Sequence, residues 1–227
     1  VVMVGGPIDA YVASLRGALR GPRGAKADLV REARDSLFDA AEHYEQDGFD
    51  RAEAERLAVD EFGDVHELAP DYQRELALAQ ARRTALLVAL AVAAQTIVSE
   101  IAWRTAATTW SWQPDRFYTI LANTVDYASY VVFAGALLAA ATCGIGTRFL
   151  VVGRPFAHAT GIAAITVVGF FLLGGAVLSL LSPAWHTAVP GATPLDMASA
   201  AITAALPAWM VYSGFRCIRA AALPAPA

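Results

Sequence analysis

The sequence predicts an all-α protein, a small N-terminal cytoplasmic helical bundle followed by a four-helix transmembrane domain. Three observations carry this. Up to about residue 81, apolar residues recur at i, i+3, i+4 spacings between helix stop and cap signals. After Arg82-Arg83-Thr84 charge nearly vanishes, and TALLVALAVAAQTIVS opens a series of apolar runs. The composition, 56% hydrophobic and 17% charged with a mean hydropathy of +0.44, is too apolar for an ordinary soluble domain of this size.

In the head, Tyr11, Val12, Leu15, Ala18 and Leu19 form the stripe of a first amphipathic helix over 8–19, stopped by Gly21-Pro22. A second helix is expected from near Lys26 to Gln46. It has Leu29, Ala33, Leu37, Ala40, Ala41 and Tyr44 on one face and Gly48 as its stop. Asp50 and Glu53 make a capping box that opens the third helix, with Ala54, Leu57, Ala58 and Phe62 inward. Gly63 suits the left-handed position after it, and Asp64 with Glu67 repeats the cap. Pro70 is tolerated in a first turn, so the last helix is expected to restart near Ala69. From Asp71 the pattern Tyr72, Leu76, Ala79 continues through Arg82-Arg83, which predicts one helix shared by head and membrane, a joint that transmits tilt or rotation.

Residues 1–81 carry nine Lys plus Arg against seventeen Asp plus Glu, a net of −8; the remainder carries eight against four. An acidic head without a basic stripe argues against direct nucleic-acid binding. Its size makes it marginal alone, so homodimerisation or docking would help it. Lys26 is the one lysine among seventeen basic residues, a bias usual in GC-rich bacterial genomes.

Four stretches approach the 20 apolar residues a span needs: 84–102, 124–143, 157–181 and 197–215, leaving 220–227 as a short tail. A four-span arrangement in the bacterial plasma membrane puts Arg82, Arg83, Arg148, Arg154, Arg216 and Arg219 inside. Only Arg104 and Arg116 fall outside, which makes both termini cytoplasmic. VVMVGGP is too short for a secretory signal and lacks its basic region. Cys143 and Cys217 fall at cytoplasmic ends, where thiols stay reduced, and read as packing residues.

Trp103, Trp110, Trp112, Phe117, Tyr118 and Trp185 suit an interfacial belt. Ala136, Ala140 and Gly144 form a small-residue ridge, Gly174-Gly175 permits close helix approach, and Pro207 interrupts the fourth span. Glu100 and Asp126 form the possible intramembrane charge site. The structural reading pairs Glu100 with Arg104 and leaves Asp126 at the interface; the sharper one is a proton or cation site.

The sequence holds no Walker loop, no strand-borne GxGxxG, no HExxH and no CxxC, and His43, His66, His158 and His186 are dispersed. The expectation is a non-enzyme with no cofactor and no metal site.

The segment DSLFDAAEHYEQDGFDRAEAERLAVDEFGDVHELAPDYQREL, through Gly48, Glu53-Ala54, Ala58, Phe62-Gly63-Asp64 and Leu68-Ala69, resembles the permease prefix domain, also described as the HAAS signalling domain. The resemblance implies a bacterial membrane protein of a kind often encoded beside PadR-type winged-helix regulators, to which the prefix domain relays signals. The leading expectation is therefore a signalling protein with the lipid bilayer and a PadR-like regulator as partners. Glu42, Glu45, Asp60 and Glu61 are the expected contact residues, because a basic partner is steered to an acidic head. Some members carry the prefix ahead of a large permease. The competing expectation is accordingly a small transporter or permease accessory subunit using Glu100 and Asp126, and a third is a structural scaffold.

Overall fold

The computed structural model describes residues 6–106, 114–144, 153–182 and 194–222. These form seven helices: α1 (Pro7–Ala18), α2 (Arg23–Gln46), α3 (Arg51–Phe62), α4 (Val65–Ala106), α5 (Arg116–Gly144), α6 (Arg154–Leu181) and α7 (Pro194–Ala221). No strand occurs among the described residues. Trp110, Trp112, Arg148, Trp185 and His186 lie outside them, as does the side chain of Trp103. Two compact units divide the chain at Gln80–Ala81, the first also taking Gly153–Pro155 and the stretch from Arg219.

In the first unit, α1, α2, α3 and the start of α4 enclose one apolar core in which Ile8, Leu15, Leu19, Leu37 and Leu76 are fully buried. The predicted α1 stripe points inward. In α2 the inner face is Val30, Ala33, Leu37 and Ala41, with Leu29 at its margin. This helix begins at Arg23 rather than Lys26, because Pro22 holds the N-cap position and Lys26 N–H makes the first bond back to its carbonyl at 2.9 Å. Gly21 must lack a side chain: an added Cβ would lie 2.9 Å from the Cβ of Leu76.

The α2–α3 turn is a Schellman motif, with Gly48 N–H bonded to Glu45 C=O at 3.0 Å and Phe49 N–H to Tyr44 C=O at 3.2 Å. Gly48 takes φ +97°, and the Phe49 ring meets Tyr44 edge-on at 6.0 Å, the apolar contact that accompanies this motif. Asp50 then caps α3 by accepting from Glu53 N–H at 2.9 Å. The reciprocal half of the predicted box is not made, since Arg56 takes the Glu53 carboxylate.

Gly63 ends α3 at φ +98°, ψ 172°, a region open almost only to glycine. Asp64 caps α4 through His66 N–H at 2.7 Å, one residue earlier than the Glu67 position of a capping box. The helix therefore starts at Val65 and passes through Pro70, where the sequence predicted a restart near Ala69. Gly63→Ala is expected to destabilise the head by about 1–3 kcal/mol, whereas Gly24→Ala, at an open helical site, should be neutral or mildly stabilising. Hydrogen exchange of the α3 amides in the full chain reads the difference.

Two polar contacts close this unit. Gln73, only 3% exposed, accepts from Arg20 N–H at 2.8 Å and donates to Arg20 C=O at 2.6 Å and Ala220 C=O at 2.8 Å. Arg154 donates to Pro70 C=O at 2.8 Å.

In the second unit, Val88, Val92, Ala136, Ala164, Val168 and Met210 bring α4, α5, α6 and α7 onto one core. Three helices are long and apolar enough to cross a membrane: α4 over Val65–Ile101, α5 and α6. Helix α5 begins at Arg116, eight residues before the expected span 124–143 that it contains, because Asp115 caps it through Tyr118 N–H at 2.7 Å. Of its expected ridge Ala136 and Ala140 are buried, with Cys143 beside them, while Gly144 is half-buried and the Arg82 guanidinium lies against it. Helix α7 continues through Pro207.

Helices α6 and α7 cross at glycines. A Cβ on Gly161 would lie 2.8 Å from Gly214 O, and one on Gly214 would lie 2.9 Å from Gly161 O. Hydroxyl and thiol groups add inter-helix bonds: Thr84 to Ser213 at 2.8 Å and Cys217 Sγ to Ala157 O at 3.0 Å. Gly174 admits Val125 closely, while Gly175 faces open space. Among the described residues each of these four helices exposes large apolar side chains, with Leu90 69%, Val131 71%, Leu173 69% and Trp209 58% exposed. Water would oppose such a surface, whereas lipid tails match it.

Candidate functional site

The head's surface chemistry concentrates at the α2–α3 turn. From Asp35 through Asp50 the chain carries six carboxylates and no Lys or Arg. The helical period turns Leu37 and Ala41 inward and leaves Asp35, Asp39, Glu42 and Glu45 exposed. Phe49 projects from this acidic edge. Among the described head residues it is the one large apolar side chain classed as exposed, at 46%.

The turn is preorganised. The Schellman motif fixes the Phe49 backbone, its ring leans on Tyr44, and the Tyr44 hydroxyl donates to Glu61 on α3 at 2.9 Å. That bond to a carboxylate, with desolvation and the charges of Glu61 and Asp47, holds the Tyr44 phenol above its ordinary range and keeps it a donor. A rigid aromatic ring set among carboxylates is suited to protein contact, since aromatic anchors dominate interface energetics and acidic rims steer basic partners.

The four predicted contact residues do not form one cluster. Glu61 joins Tyr44 at the turn, and Glu42 and Glu45 are exposed along α2. Asp60 instead lines an open depression of about 420 Å³ with Tyr11, Ser14, Asp64 and His66. There the Tyr11 hydroxyl donates to Gly63 O at 2.9 Å, and burial, Tyr72 and Asp64 push its pKa up. Gly48, Asp50, Gly63 and Asp64 shape the turns on either side of α3. Glu53 supplies the N–H that Asp50 caps, and Glu67 stands in the first turn of α4. Sequence reasoning passed over Phe49; the signal was an aromatic residue between Gly48 and Asp50, where turn chemistry makes exposure the rule.

In the second unit Glu100 pairs with Arg104 one turn on, both exposed. Asp126 is exposed on α5 within electrostatic reach of Glu100. Among the described residues no three His, Cys, Asp or Glu side chains converge to hold a metal ion.

Compared with known proteins, the chain matches no family model, no curated protein and no solved structure.

Proposed function

We propose that this chain is a multi-pass membrane signalling protein whose acidic head captures a basic regulatory protein at the α2–α3 turn. The observation that carries the reading is Phe49, exposed yet locked between Tyr44 and two turn hydrogen bonds, inside a stretch with six carboxylates and no cation. The resemblance of the head to the permease prefix or HAAS domain points to a PadR-like winged-helix regulator as the partner. On this reading four helices span a bacterial plasma membrane, the fourth being α7, and the head and both termini face the cytoplasm. The chain performs no reaction; α4, unbroken from Val65 to Ala106, carries movement of the spans to the head.

The test uses the full chain in nanodiscs with the winged-helix regulator encoded beside it. Phe49→Ala is expected to weaken capture by about 2 kcal/mol, roughly thirtyfold. Charge reversal at Glu42, Glu45 and Glu61 should slow association and flatten its salt dependence. Capture untouched by both changes would remove the acidic turn as the contact.

A transporter or permease accessory subunit is the second reading, favoured by the nearness of Asp126 to Glu100. The same preparation discriminates: flux lost in the Glu100→Gln, Asp126→Asn double variant with capture unchanged would support it.

A further inference from the structure

The head's net charge of −8 conceals a reversal at its other end. Arg16, Arg20, Arg23 and Lys26 fall within eleven residues around the α1–α2 turn, and no carboxylate occurs between Asp9 and Asp28. Those two flanking acids are already engaged, Asp9 with Arg34 and Asp28 with Arg31. Among the described residues none of the four cations is in an ion pair. Lys26 has a like charge for a neighbour instead: burial first, and then the charge of Arg16, push its ammonium below its ordinary range, although it donates to Leu19 O at 2.7 Å. Holding like charges together without a counter-ion costs free energy that an anionic ligand would recover.

The fold fixes where this cluster lies within its own unit. Gln73 grips Arg20 through both backbone groups and, with the same amide, holds Ala220 in the last turn of α7. The first residues of α6 belong to the unit as well, Arg154 being bonded to Pro70. The basic turn thus sits in the layer where α6 begins and α7 ends. Phe49 is at the opposite end of α2, some 36 Å away for a helix of its 24 residues.

We propose that Arg16, Arg20, Arg23 and Lys26 form a docking surface for anionic phospholipid headgroups, which holds the head against the bilayer with its acidic turn directed away. The inference rests on the reading of α4–α7 as membrane helices. Juxtamembrane cations each contribute about 1 kcal/mol on an anionic leaflet, about fivefold in the docked-to-undocked ratio. The Arg82-Arg83 pair continues the same sign of charge toward the spans.

The experiment places a fluorophore on the full chain at Gly24→Cys, an open position on the cluster, the native Cys143 and Cys217 being buried. The protein is reconstituted in phosphatidylcholine vesicles with and without phosphatidylglycerol, each containing a headgroup-attached quencher. Anionic lipid is expected to increase quenching severalfold, and salt at about 1 M, where screening reaches about 3 Å, should abolish the increase. The Arg16→Gln, Arg20→Gln, Arg23→Gln variant should quench as in phosphatidylcholine alone, while Arg31→Gln, whose guanidinium is paired, should behave as wild type. Equal quenching in both lipids by a chain that inserts in both would overturn the docking surface and leave the membrane reading standing. A chain that alkaline carbonate strips from both vesicles would overturn the two together. The lipid arm of the wild type and its salt dependence need no variant to fold.

Discussion

Gly161→Leu is expected to prevent α6 and α7 from packing and to be the most damaging single substitution in the second unit. The obstacle is backbone. Even an alanine Cβ would lie 2.8 Å from Gly214 O and from Ile218 Cγ1, and 3.2 Å from Cys217 Cβ. A carbonyl in the middle of a helix cannot swing aside as a side-chain tip does, so the helices must separate and lose the Cys217–Ala157 bond beside the crossing. Overpacking of this kind costs about 1–3 kcal/mol for a small side chain and more for leucine. Between membrane helices close approach is itself a main source of association, because lipid supplies no hydrophobic drive. Gly169→Leu and Gly175→Leu are the matched controls, since nothing lies within 4 Å of either added Cβ. Thermal unfolding of the full chain in detergent should show a large fall for Gly161→Leu and Gly214→Leu and little change for the controls; equal effects at all four positions would refute the crossing.

That contrast also locates what the sequence could and could not reveal. Helical class, the glycine stops at Gly48 and Gly63 and the Asp50 cap are local events, decided within a few residues by backbone conformation and one side-chain acceptor, and local pattern discloses them. The α5 ridge of Ala136 and Ala140 was legible for the same reason, because small residues at i, i+4 mark one face. Gly161 and Gly214 were not, since each is an isolated glycine whose meaning depends on a helix about fifty residues away. Segment averages misled as well. A net of −8 for the head concealed four cations beside the α1–α2 turn, and of the expected contact residues Asp60 and Glu61, neighbours in sequence, α3 presents each to different surroundings. Pro70 invited a helix boundary that the Asp64 cap, six residues earlier, had already set.

Gln73→Leu is expected to be the most damaging polar substitution in the head. Leucine nearly preserves volume, so the loss is one of hydrogen bonding: Arg20 N–H, Arg20 C=O and Ala220 C=O all lose a partner, the Ala220 bond being buried and the two Arg20 bonds partly so. Each buried group left unsatisfied costs about 1–3 kcal/mol, and the stability of a domain this small is of the same order. Gln73→Glu should be no better, because a carboxylate can still accept from Arg20 N–H but meets two carbonyls to which it has nothing to donate. Hydrogen exchange on the full chain should show the Arg20 amide losing protection in both variants; an Arg20 amide as protected as in wild type would refute the role given to Gln73. The consequences should be selective. The Schellman turn and the Tyr44–Glu61 bond lie within α2 and α3 and do not pass through Gln73, so capture at Phe49 should survive wherever the head remains folded. Lipid docking should weaken, since Gln73 fixes the backbone from which Arg20 projects and beside which Arg16, Arg23 and Lys26 are held.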